Sequence, residues 1–201
     1  MARLQGVQDG EGGLFARYAF RESRRRTGKV MTALRVGLLH PGITVGVGAM
    51  ERQLDRAKDV DPLLTELASL KAATLIGCEF CIDIGSFLAR TQHGASEEQI
   101  RDLHRHRESP AFDERQRLVL DYAEAMSQTP VRVDDRLFAA LREQFDEKQL
   151  VALTSAIAWE QYRARFNGAF DIGPDGFTAG GVCAIQIAGA ETAAPVAATT
   201  A

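Results

Sequence analysis

Apolar residues along this chain recur every three or four positions and almost never alternate strictly, so the pattern predicts helices nearly throughout. Leu14 to Arg25, Val30 to Leu39 and Ile43 to Ala57 read as three helices. The second is stopped by His40-Pro41-Gly42, and Gly46 and Gly48 weaken the third. The next helix has a sharper start, because Asp61-Pro62 supplies an N-cap followed by proline in the first turn. Leu63, Leu67, Leu70 and Thr74 follow at helical spacing, and Gly77 ends the run. Cys78 opens a helix to about Gln92, closed by His93-Gly94. Ser96 and Gln99 form a capping box for a helix to about Arg107. Asp113 to Ser127, Arg136 to Phe145 behind Asp134 or Asp135, and a long helix from Asp146 to about Phe170 complete the set. Val131-Arg132-Val133 is too short to build a sheet. The expectation is an all-α bundle of about eight helices with short polar joints.

Composition changes this picture mainly at the ends. Residues 1–13 hold four glycines and few apolar side chains, and read as a flexible leader. Residues 14–177 read as a single helical domain, and 178–201 as an Ala/Gly/Thr-rich tail, disordered over its last dozen residues. A chain of 201 residues can bury a core without disulfide staples. Net charge is −3, a balance that argues against coating nucleic acid. Arg24-Arg25-Arg26 with Lys29 is the one basic run, and it reads as a solvated helix end. No run of eighteen apolar residues marks a membrane span and no secretory core follows Met1, so the expected location is cytoplasmic. Three cysteines in such a chain point to chemistry or a metal rather than to a structural disulfide framework.

That chemistry centres on Cys78-Glu79-Phe80-Cys81. Cysteines three apart on a helix share a face, close enough to bond to each other or to hold a metal. The break at Gly77 puts Cys78 at the helix N-terminus, where free backbone N–H groups and the helix dipole favour a thiolate. The bland alternative is two small buried apolar residues. Structural zinc needs four ligands, whereas His104 and His106 fall on different helix faces and Cys183 stands alone, so no metal is expected. Glu66 lies at the border of the apolar stripe one helix earlier. It reads either as an exposed boundary carboxylate or as a base folded against the dithiol. Trp159, Tyr162, Arg163 and Asn167 share one stretch of the last helix. They read as core with a snorkelling arginine, or as the wall of the dithiol pocket with Arg163 holding an anionic substrate.

Glu66, eleven intervening residues and Cys78-x-x-Cys81 resemble the Glu-x11-Cys-x-x-Cys-x3-His signature of the carboxymuconolactone decarboxylase/AhpD-like superfamily. Gly77 to Gly85, the run from Trp159 to Phe170, Gly176-Phe177 and Cys183 are similar to one subgroup of it. The resemblance implies an all-helical fold assembled as homo-trimers or hexamers. It implies that Cys81 attacks a peroxide, Cys78 resolves the product as a disulfide, and Glu66 is the terminal proton acceptor. It implies no cofactor beyond the cysteine pair, a small peroxide or disulfide as substrate, and a lipoyl or thioredoxin-like reductant. The dipole argument instead ranks Cys78 as the more acidic thiol.

The motif histidine falls at Gly85. Glycine carries no proton and costs a helix about 1 kcal/mol relative to alanine. It leaves room that a water, a substrate or a side chain of another helix can fill. Phe80 adds no titratable group, Asp83 points elsewhere, and His93, three turns along, reaches Cys81 only through an intermediary. The leading expectation is a thiol–disulfide oxidoreductase of peroxidase type acting at Cys78 and Cys81. The alternatives are a decarboxylase of a small carboxylated lactone, and a non-catalytic oligomeric binding protein in which Gly85 marks a lost relay.

Overall fold

The computed structural model describes residues 2–184. Among them are nine α-helices and no strand: α1 (Gly13–Thr27), α2 (Thr32–Gly37), α3 (Pro41–Arg56), α4 (Pro62–Ile76), α5 (Glu79–Gln92), α6 (Glu97–Asp102), α7 (Glu114–Ser127), α8 (Asp135–Gln144) and α9 (Glu147–Ala169). The all-α expectation therefore holds. No helix of the described residues is long and apolar enough to cross a membrane.

Helix α4 is the axis of the bundle, packed by α5, α7 and α9. Its sequence explains this position, because Leu64, Leu67, Ala68, Leu70, Ala72 and Ala73 are buried all round the helix rather than along one stripe. Leu67 and Leu70 pack with Phe80, Cys81, Ile82, Ile100 and Leu120. Leu64, Ala68 and Ala72 pack instead with Val119, Tyr122, Leu153 and Ile157. Each such leucine contributes about 2 kcal/mol of burial, so the start of α5 is fixed by the best-packed helix of the fold.

The helix starts follow their local chemistry. The Asp61 carboxylate accepts the Leu63 N–H at 2.8 Å, with Pro62 in the first turn, and Gly77 ends α4 in the left-handed conformation at φ 78°. Capping boxes stand at Ser96/Gln99, Asp113/Gln116 and Asp146/Gln149. Asp134, not Asp135, caps α8.

Two helix boundaries differ from expectation. His40-Pro41-Gly42 opens α3 rather than only closing α2, because His40 Nδ1 accepts the Ile43 N–H at 3.2 Å and Pro41 takes the first turn. Helix α6 ends at Asp102 and passes into a 3-10 turn, Leu103–Arg105. There the buried Asp102 carboxylate accepts the Ser109 hydroxyl at 2.7 Å and the Arg105 guanidinium at 2.8 Å, which draws the chain out of the helix. Finally, both ends of the described chain are held to the body. The Arg3 N–H bonds the Phe170 carbonyl at 2.8 Å, and Val7 is buried. Cys183 and Ala184 are buried against α5, where the Ser86 hydroxyl accepts the Ala184 N–H at 3.3 Å. The disorder expected of the last dozen residues lies outside the described residues.

Candidate functional site

Gly77 turns the chain from α4 into α5 and makes Cys78 the N-cap residue of α5. The Cys78 Sγ accepts the Cys81 N–H at 3.2 Å, as a capping side chain does, so the sequence-predicted terminal position is met. Cys78 and Cys81 are joined as a disulfide with their Cα atoms 5.2 Å apart. Both are only 5% exposed. From α9, the buried Asn167 aims its amide nitrogen at the pair, 3.4 Å from Cys81 Sγ and 3.7 Å from Cys78 Sγ. A disulfide sulfur is a weak acceptor and a thiolate a strong one, so this donor favours the reduced, charged form of either cysteine.

The rest of α5 divides into two faces. Phe80 packs edge-on against Phe177 at 6.4 Å. Asp83 accepts the Phe177 and Thr178 N–H groups, each at 2.9 Å, and the Thr178 hydroxyl at 2.7 Å. Burial pushes its pKa up, but these donors outweigh burial and hold it below the usual carboxylate range. As expected, it points away from the dithiol and serves structure.

On the other face, Gly85 lies one turn beyond Cys81. A Cβ placed there would meet Leu70 Cδ1 at 3.2 Å and Glu66 Oε1 at 3.6 Å. The motif histidine's place is therefore taken by two side chains of α4, one of them the predicted base. Glu66 is largely buried, and desolvation pushes its pKa up to about 7; Arg163 opposes the shift, while Glu160, Glu51 and Asp55 add to it. Its other oxygen, Oε2, lies 3.9 Å from His93 Nε2 at the end of α5. Burial lowers the His93 pKa and Lys58 lowers it further. Glu66 and His93 border a cavity of ≈ 120 Å³ lined by α3, α4 and α9, with Glu51, Asp55, Lys58 and Arg163 on its wall.

The expected aromatic–arginine wall is split between two places. Asn167 alone of the four contacts the sulfurs. Arg163 is held by carboxylates: Glu160 Oε2 lies 2.5 Å from Nη2, and the Glu51 oxygens lie 3.2 and 3.3 Å from Nη1. Trp159 Nε1 donates to Glu51 at 2.8 Å, and Tyr162, 40% exposed, stacks on Trp159 at 4.7 Å. Burial disfavours the Arg163 charge, but Glu160 and Glu51 reverse this and raise its pKa. Burial also raises the pKa of Glu160, against Arg163. An arginine so engaged is a structural and electrostatic partner of Glu66 rather than a free anion receptor. Glu51 and Glu160 were not predicted. Glu160 was within reach of sequence reasoning, being one turn before Arg163 on the same face; Glu51 carries no local signal.

His106 is buried and pairs with Asp121 at 2.9 Å, beside Glu124. Arg107 lies 2.7 Å from Asp121 and Lys71 3.7 Å from Glu124, so these carboxylates already face two side-chain cations.

Fold and site together define a class: all-helical proteins with a paired-cysteine centre at a helix start and a buried carboxylate on the helix before it. The sequence model of the Carboxymuconolactone decarboxylase family matches residues 46–125, and the chain belongs to that family. It is 36% identical over 157 residues to the uncharacterized protein YnjA of Escherichia coli K12, covering 76% of this chain and 84% of that one. Among solved structures it is similar to the debrominase Bmp8 in its apo form, with a TM-score of 0.80 and 18% identity over 92% of this chain and 97% of that one. It is also similar to ATU0492 of Agrobacterium tumefaciens, a protein of unknown function proposed to be the antioxidant defence protein AhpD. There the TM-score is 0.64, with 26% identity over 69% of this chain and 94% of that one.

Proposed function

We propose that the chain is an AhpD-like thiol–disulfide oxidoreductase that reduces a small peroxide or disulfide through Cys78 and Cys81. On this reading it works as a homo-oligomer, and a lipoyl or thioredoxin-like dithiol restores its reduced state. The observation that carries the reading is the sulfur pair at the start of α5, bonded to each other and sharing the Asn167 amide as donor. The buried Glu66 on the neighbouring helix supplies a base whose pKa, about 7, is matched to neutral solution.

With a peroxide, the Cys81 thiolate attacks one oxygen and the O–O bond breaks. The leaving alkoxide takes a proton to become an alcohol, and Cys81 becomes a sulfenic acid. Cys78 then displaces the hydroxyl as water and closes the disulfide. Two electrons pass from the dithiol to the peroxide, and an external dithiol returns them. The same fold serves a debrominase, so the fold does not choose the electrophile; the dithiol and its proton acceptor carry the argument.

The test is a thiol count. Stoichiometric peroxide added to the reduced protein should remove two free thiols per chain, and Cys81→Ser should abolish turnover with a dithiol reductant. An unchanged thiol count after mild oxidation sinks the reading. So does a lactone decarboxylase activity that survives in a Cys78→Ser/Cys81→Ser double variant.

A further inference from the structure

Gly85 occupies the position from which the family motif would present a histidine to Cys81, yet the space beside it is already filled. Residues one turn apart on a helix keep their Cβ positions about 5–6 Å from each other, and the Glu66 carboxylate stands 3.6 Å from the Cβ position of residue 85. Even a methyl group there would press on Leu70 at 3.2 Å and touch the Glu66 carboxylate at 3.6 Å, so the larger histidine ring has no room without moving these neighbours. The carboxylate's far oxygen faces His93, and both groups open on the cavity under α3. His93 ends α5 and is partly exposed, which gives it an outlet that Glu66 lacks.

We infer that Gly85 lets Glu66 take the dithiol proton without a histidine between them, and that His93 serves on the far side of Glu66 as the group that passes that proton to the cavity. The motif's order of carboxylate, histidine and cysteine becomes histidine, carboxylate and cysteine. The step balances: the Cys81 thiol gives its proton, through a bridging water, to the Glu66 carboxylate, leaving a thiolate and a carboxylic acid. Glu66 passes the proton to the neutral His93 imidazole, and the imidazolium releases it to water. The 3.9 Å between Glu66 and His93 exceeds a direct hydrogen bond, and a bridging water or a small side-chain rotation closes it.

The charged surroundings suit the transfer. Glu66 is faced by Glu51 and Asp55 of α3 and by Glu160 and Arg163 of α9, while Lys58, Asp55 and Asp61 act on His93. Burial first, and the neighbouring carboxylates after it, keep Glu66 from being a permanent anion, and burial with Lys58 keeps His93 neutral and able to accept. Gly85 and His93 are thus positioning and relay residues that act through Glu66.

The relay rests on the dithiol reading, but its test need not rest on peroxide. The oxidant is 2,2′-dithiodipyridine, whose reaction with the reduced dithiol also requires a thiolate, followed by stopped flow between pH 5 and 9. Wild type should show an inflection near neutral pH, and Glu66→Gln should lose it. His93→Gln, which fills the same space but carries no proton, should move the inflection and slow the reaction at pH 7 by roughly tenfold, less than the roughly hundredfold or more of a direct general base because His93 acts through Glu66. Added to Glu66→Gln it should cost almost nothing more, because both act on one path. Gly85→Ala should slow the reaction while its unfolding midpoint holds, the pressure on Leu70 offsetting alanine's preference for the helix. A wild-type rate and pH profile in His93→Gln overturns the relay, and so does a loss that adds in full to that of Glu66→Gln. A wild type inert to peroxide but fast with the disulfide sinks the peroxidase reading alone.

Discussion

At the scale of single residues, Glu66 shows how burial sets chemistry. An ordinary glutamate loses its proton near 4.5, and this one holds it to about 7. The folded state therefore binds a proton that the unfolded chain has already released between those values. Stability from this group falls as pH rises from about 4.5 to about 7, and the cost is complete above that. Glu66→Gln should match wild type near pH 4 and exceed it by up to roughly 3 kcal/mol at pH 8. Paired urea titrations across that range check this, and a variant that is weaker at pH 8 would mean that Arg163 holds the carboxylate ionised. Asn167 acts in the opposite sense, on a charge it favours. Asn167→Ala should raise the apparent thiol pKa of the reduced pair by about one unit, the size of a hydrogen bond to a charged group, read from thiolate absorbance. The cysteine pair was legible in the sequence from its spacing at a helix start, whereas Glu66, by itself an ordinary boundary carboxylate, stood out only through its family spacing to that pair. The partners of Glu66 were not legible, since Glu51, Glu160 and His93 meet it only when α3, α5 and α9 converge.

At the scale of elements, the capping residues were the most legible feature, because a cap is satisfied within three residues of itself. Asp61, Cys78, Ser96, Asp113 and Asp146 all stand where the sequence puts a helix start. The segment after α9 was not legible, because its low-complexity composition hides two anchors supplied by α5. Asp83 binds Phe177 and Thr178, and Ser86 binds Ala184. These contacts lay residues 177–184 over α5 and bury the free thiol of Cys183. Asp83→Ala removes an acceptor from three donors and should cost about 2–3 kcal/mol. More tellingly, it should expose Cys183 in the native fold. Ellman's reagent should titrate no Cys183 in the oxidised wild-type protein and one thiol per chain, rapidly, in the variant. Equal slow reaction in both would mean that Asp83 does not hold this segment down.

At the scale of the whole molecule, α3 is a long helix with large apolar side chains in water. It runs for 16 residues and buries only Thr44, although Ile43 and Val45 are both more than half exposed. Leu14 and Tyr18 on α1 and Leu39 just before α3 are likewise more than half exposed. On the homo-oligomer reading proposed above, these side chains form the contact between copies of the chain. The same helix brings Glu51 and Asp55 to the cavity of Glu66 and His93, so whatever covers α3 also governs how that cavity meets solvent. A second copy of the chain fits the homo-oligomer we propose, and sedimentation equilibrium should give a mass of several chains for wild type. Ile43→Asp combined with Val45→Asp should shift it toward the monomer. Because both side chains already face solvent within one chain, the monomer should keep its helical circular dichroism. A wild type that sediments as a single chain would place the covering partner elsewhere. If the variant dissociates, the pH inflection of dithiol reactivity tells whether the assembly tunes Glu66: the value of about 7 is that of one chain, so an assembly that shields the cavity further raises it, and dissociation should bring the inflection back down toward 7.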